Sequence, residues 1–100
     1  MIRFERLGFE DFAVYVSGEA DAIGKAGVLC GESWFLARPS LGGGLAWEET
    51  MFDAVQSWAR TRLRQTQLRR LILREVALSA LQYQSVERGD EDENGIFIAD

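Results

Sequence analysis

The sequence predicts an α+β fold: a three- or four-stranded antiparallel sheet, followed by an amphipathic helix and a second C-terminal helix. Three observations carry this. Apolar residues alternate at period two before residue 48, the spacing turns helical after Thr50, and neither glycine nor proline occurs between 51 and 88. At 100 residues the chain is one domain, divided into a sheet over 1–48, a helical part over 50–88 and an acidic tail over 89–100.

The strands are read in order. Phe12, Val14 and Val16 share one face of a β-branched and aromatic run. Residues 17–21 carry turn chemistry, and 24–30 form a second strand that Gly24 and Gly27 weaken. Gly31-Glu32 is the expected tight turn before a third strand, which Pro39 ends. Gly42-Gly43-Gly44 is expected as a flexible connection to a short fourth strand over 45–48, and Ile2-Arg3-Phe4 offers one more strand at an edge. Short loops between these runs imply a meander.

Thr50-Met51-Phe52-Asp53 opens the helical part, because the threonine hydroxyl can accept a hydrogen bond from the amide three residues on. Phe52, Val55, Ala59 and Leu63 form one stripe; Leu68, Ile72, Val76 and Tyr83 form another, rotated by more than a right angle. A break at Gln65-Thr66-Gln67 gives two helices, the second from about 67 to 88; one continuous helix of about 55 Å is the alternative.

Composition excludes several functions. Hydrophobic residues are 47% and charged residues 27% of the chain, which is globular usage rather than disorder. There is no histidine, which removes imidazole-based catalysis and most zinc sites, and the single Cys30 cannot form an internal disulfide. An enzyme built from this chain would rely on carboxylates, Tyr15 or another tyrosine, or Cys30, and no spacing selects a catalytic pair. No segment reads as a secretory signal or a membrane span, so the expectation is a cytoplasmic, non-enzymatic protein with no cofactor, no metal and no membrane partner.

Charge is segregated. Nine acids oppose four bases over 1–57, six arginines face only Glu75 over 58–86, and six acids oppose Arg88 from 87 onward. These balances of −5, +5 and −5 give the net charge of −5.

Four features are candidate sites. The carboxylates Glu48, Glu49 and Asp53 beside Trp47 form a protein-binding surface, with Asp90, Glu91, Asp92 and Glu93 as a second one. The last four, with Asn94 and Gly95, also match the first half of an EF-hand loop, but the chain stops at the eleventh position, before the bidentate twelfth ligand. Arg69, Arg70 and Arg74 are the alternative, a nucleic-acid-binding set; against it, the arginines from 60 to 74 spread over about four helical turns. The fourth is the second helix, where Leu68, Leu71, Ile72, Val76, Leu78 and Leu81 carry apolar surface around much of the circumference. A homodimer would cover it, with Glu75 meeting Arg70 or Arg74 of the other chain. Within one chain, Glu75 is expected to pair with an arginine or to lie at the stripe's edge.

The order of sheet and then threonine-capped helix, over 12–64, resembles small phage and mobile-element proteins. Among those the chain is similar to anti-CRISPR inhibitors, which are small and acidic. That resemblance implies an inhibitor that binds a host protein complex handling nucleic acid, through acidic surface placed where a phosphate backbone normally lies. A second similarity is to an antitoxin family with three strands and a helix that begins at a threonine, here Thr50-Met51-Phe52-Asp53-Ala54. It implies a regulator that binds nucleic acid directly.

Overall fold

A computed structural model describes residues 1–85, with side chains as far as Leu81. Five strands precede two helices: β1 Arg3–Arg6, β2 Asp11–Tyr15, β3 Gly24–Leu29, β4 Glu32–Ala37, β5 Leu45–Glu48, α1 Met51–Thr61 and α2 Thr66–Ser85. The strands form one antiparallel meander in the order β1-β2-β3-β4-β5. The sheet thus has five strands rather than three or four, because the amino-terminal segment pairs fully with β2, from Arg3 opposite Tyr15 to Arg6 opposite Phe12.

Both helices lie on one face of the sheet. The register places Val14, Gly24, Ala26, Phe35 and Ala37 on that face, where Val14, Ala26 and Phe35 are fully buried. Helix α1 adds Ala54, Val55, Trp58 and Ala59, the segment after it adds Leu63, and α2 adds Ile72 and Val76. Trp58 is the largest buried side chain; its ring centroid lies 5.1 Å from that of Phe35 and its indole N–H donates to the Gly43 carbonyl at 2.9 Å. Side chains of this kind stabilise a core by about 1.5–3 kcal/mol each.

Thr50 caps α1 as expected, its hydroxyl accepting the Asp53 amide at 3.0 Å. The break falls at 62–65, slightly before the predicted position, and Thr66 already opens α2. Leu63 stays in the core at the break, and the Arg69 guanidinium donates to its carbonyl at 3.3 Å. The two stripes can therefore each meet the sheet although their phases differ.

The connection at 39–44 is ordered by its surroundings rather than free. Pro39–Leu41 form a 3₁₀ turn, Gly42, Gly43 and Gly44 all have positive φ, and the indole of Trp58 holds the loop at Gly43. A side chain on Gly44 would also collide with Arg62, whose Cδ would stand 2.8 Å from the added Cβ.

The β3–β4 turn is Cys30-Gly31 and not Gly31-Glu32, since Glu32 already pairs with Leu29. Both turn residues have positive φ, 53° and 83°, the requirement of a type I′ hairpin, where asparagine is the preferred first residue. Cys30 is the only non-glycine residue in that region among those described. Replacing it with asparagine (C30N) should stabilise the fold by about 0.5–1 kcal/mol, raising the calorimetric midpoint by about 2–6 °C. An unchanged or lower midpoint would show that the turn carries no such strain.

Candidate functional site

Among the described residues the helices cover only one side of the sheet, and the other side is open. Its residues follow from the register: Trp34 opposite Trp47, Leu36 opposite Leu45, and Leu29 opposite Glu32. With Phe9 from the β1–β2 loop, Leu29, Trp34, Leu36, Leu45 and Trp47 line an open groove of about 720 Å³. Trp47 is 41% exposed and Phe9 is 90% exposed. The Arg6 guanidinium donates to the carbonyls of Gly8 and Phe9, fixing the loop that presents this ring.

Gly27 explains how a tryptophan lies on this face. It is paired with Trp34, and an added Cβ would stand 2.7 Å from the indole Cζ2 and 2.5 Å from the Glu10 carbonyl. The strand-weakening glycine is thus the floor on which Trp34 rests. That signal was present in the sequence, but it points to Trp34 only once the register is known.

Carboxylates surround the groove. Glu10 and Asp11 line it, and Glu32 lies on the same face as Trp34. Of the predicted residues, Trp47 is in the groove. Strand alternation sends Glu48 to the helix side, where it is opposite Ser33, and Asp53 is exposed in the first turn of α1. Glu48, Glu49 and Asp53 are all exposed, so they form an acidic edge at the end of β5, beside the groove rather than within it. Asp90, Glu91, Asp92 and Glu93, and with them the EF-hand-like loop, lie outside the described residues, as does the Tyr83 side chain.

A second cleft has the opposite charge. Ser40 and Gly42 form one wall, and Arg60, Arg62, Arg64 and Arg69 surround the rest of an open cavity of about 1140 Å³ at the junction of α1 and α2. Arg70 and Arg74 are exposed further along α2 and do not line it. Of the stripe offered for self-association, Ile72 and Val76 are used by the protein's own core, while Leu78 and Leu81 are 48% and 63% exposed.

Among the described residues no group of three or more histidine, cysteine or acidic side chains is placed to hold a metal ion. No helix there is long and apolar enough to cross a membrane. Comparison with protein families, with curated proteins and with solved structures gives no match for this chain.

Glu75 corrects an expectation. It is buried at 7% exposure, and its partners are the amino-terminal ammonium of Met1 and the amide and hydroxyl of Ser17 rather than an arginine. The hydroxyl donates to the carboxylate at 2.9 Å. Held inward this way, Glu75 is not available to an arginine of another chain. Burial opposes its ionisation, but the hydrogen bonds from the ammonium and from Ser17 outweigh it and hold its pKa below the ordinary 4.5. A depressed carboxylate pKa stabilises the fold above the ordinary value, and that stability disappears as pH falls through the folded-state value. Glu75→Gln should cost about 1–3 kcal/mol at neutral pH. In urea unfolding, the gap between wild type and variant should close as pH is lowered below 4.5. A gap that stays constant to pH of about 3 would remove the ion pair from the account of stability.

Proposed function

We propose that this protein acts by binding another protein through the open face of its sheet, with no chemistry of its own. The observation that supports it most is the groove of Phe9, Trp34, Leu36, Leu45 and Trp47, whose apolar side chains the domain does not bury. A contiguous apolar surface of this kind marks an interaction site, and tryptophan is the residue type that most often anchors one.

The rim selects the partner's chemistry. Glu10 and Asp11 line the groove, Glu32 lies on the same face, and Glu48, Glu49 and Asp53 continue the negative surface around the end of β5. The fitting partner has an apolar projection set in a basic surface, as in the channel of a complex that handles nucleic acid. Carboxylates there occupy sites meant for phosphates, which makes this protein an inhibitor of that complex.

Truncating Trp47 to alanine should weaken the purified complex by about 2 kcal/mol, chiefly through faster dissociation. The double reversal Glu10→Lys/Glu32→Lys should instead slow association by about tenfold or more, with an effect that shrinks as salt rises. Neither change should move the thermal midpoint by more than about 2 °C, since both sites are at the surface. Surface plasmon resonance on the partner recovered with the full chain reads both rates. Cross-links that map the contact to the helix layer, or a self-association that Trp47→Ala abolishes, would overturn the reading.

A further inference from the structure

We propose that the arginine cleft at the α1–α2 junction is a second binding site, one that takes the phosphoryl groups of a polyanion. It lies on the helix side of the molecule, away from the open sheet face, and stands whether or not that face binds protein.

The argument starts from the helix break. On one straight helix the arginines between 60 and 74 would radiate around about four turns and share no ligand. The break at 62–65 folds the chain instead, so that Arg60 at the end of α1, Arg62 and Arg64 in the break and Arg69 in the first turn of α2 surround one cavity. Among the described residues none of the four has a carboxylate within ion-pair distance. Arg62 is laid across Gly44, where a side chain would collide with it, and Arg69 is held by the Leu63 carbonyl at 3.3 Å. The Arg69 guanidinium is therefore held by the fold, while Arg60, Arg62 and Arg64 are exposed.

The carboxyl end of α1 accounts for one nearby cation through the helix dipole, but not for four that repel one another. The amino end of α2 opens on the same cavity, which Gln65 also lines, and its free amides add to the positive potential. The guanidinium is the side chain suited to bidentate recognition of phosphate. Among the described residues no aromatic side chain lines the cleft, so they offer nothing for a base to stack on. The ligand chemistry is thus a run of phosphates read without regard to sequence, supplied by the backbone of a nucleic-acid strand or by a free polyphosphate.

The test uses the full chain and two probes: a fluorescent oligothymidylate of about 20 nucleotides, followed by anisotropy, and inorganic tripolyphosphate as competitor. Four engaged guanidiniums should give a log–log salt slope of about −3 for the oligonucleotide. Arg60→Gln/Arg64→Gln, which touches no hydrogen bond or ion pair described above, should weaken binding by about tenfold or more and halve that slope. Arg3→Gln/Lys25→Gln removes the same charge from the open sheet face and should change affinity by about twofold at most. Displacement by tripolyphosphate at concentrations near those of the oligonucleotide would identify free polyphosphate as the source; displacement only at about a hundredfold excess would identify a strand. Absence of binding at about 50 mM salt, or equal losses from the two double variants, would overturn the proposal.

Discussion

Trp58 is the contact on which the arrangement of this protein depends. It is fully buried, its ring packs against Phe35 on the central strands, and its indole N–H satisfies the Gly43 carbonyl. One side chain thereby joins α1, the sheet and the loop between β4 and β5. The hydrogen bond matters as much as the area, because an indole N–H buried without a partner would cost about 1–3 kcal/mol. With α1 fixed in this way, Val55 and Ala59 are committed to the core and the end of α1 is brought to the glycine loop, where the chain turns into α2.

The consequence, among the described residues, is a sheet covered on one side only. The face opposite the helices is therefore open, yet it does not carry the polar alternation expected of a solvated antiparallel sheet. Lys25, Asp11 and Glu32 are there, but so are Trp34, Leu36, Leu45 and Trp47. Antiparallel sheets tolerate single exposed apolar residues without consequence; four on adjacent positions of two paired strands are a different matter.

Much of the fold was legible because its signals are local. Period-two alternation marked β2 and β4, and the threonine cap with an uninterrupted helical stripe marked α1. Trp34 and Phe35, adjacent on β4, fall on opposite faces by alternation, and the structure buries Phe35 while leaving Trp34 partly exposed. What was not legible depends on pairing between distant residues. The glycine run looked like a free linker until Trp58, 15 residues further on, was seen to hold it. Glu75 looked like a partner for arginine because its neighbours in sequence are arginines, whereas its carboxylate meets Ser17 across 58 residues. The acidic edge was legible as composition, but its separation from Trp47 by the pleat was not. The arginine cleft was hidden for a similar reason: the arginines and the break were both visible, but not that the fold around the break sets four of them about one cavity.

The placement of charge is the last consistent feature. Over residues 1–85 ten acids face ten bases, so the described domain is neutral as a whole. Pairing is nevertheless sparse, with three ion pairs among the described residues, and one of them uses the chain terminus rather than an arginine. Surface ion pairs contribute about 0–1 kcal/mol each, so little stability is forgone by leaving these groups apart. Keeping them apart has a different effect. Arginines gather at the α1–α2 corner, while Glu10 and Asp11 line the apolar groove on the other side of the sheet and Glu32 shares that face. Fields of opposite sign on opposite sides of so small a body act beyond contact distance, over about 8–10 Å at physiological salt. A neutral domain with scattered charges would approach its surroundings in any orientation; this one has its orientation biased before any side chain touches.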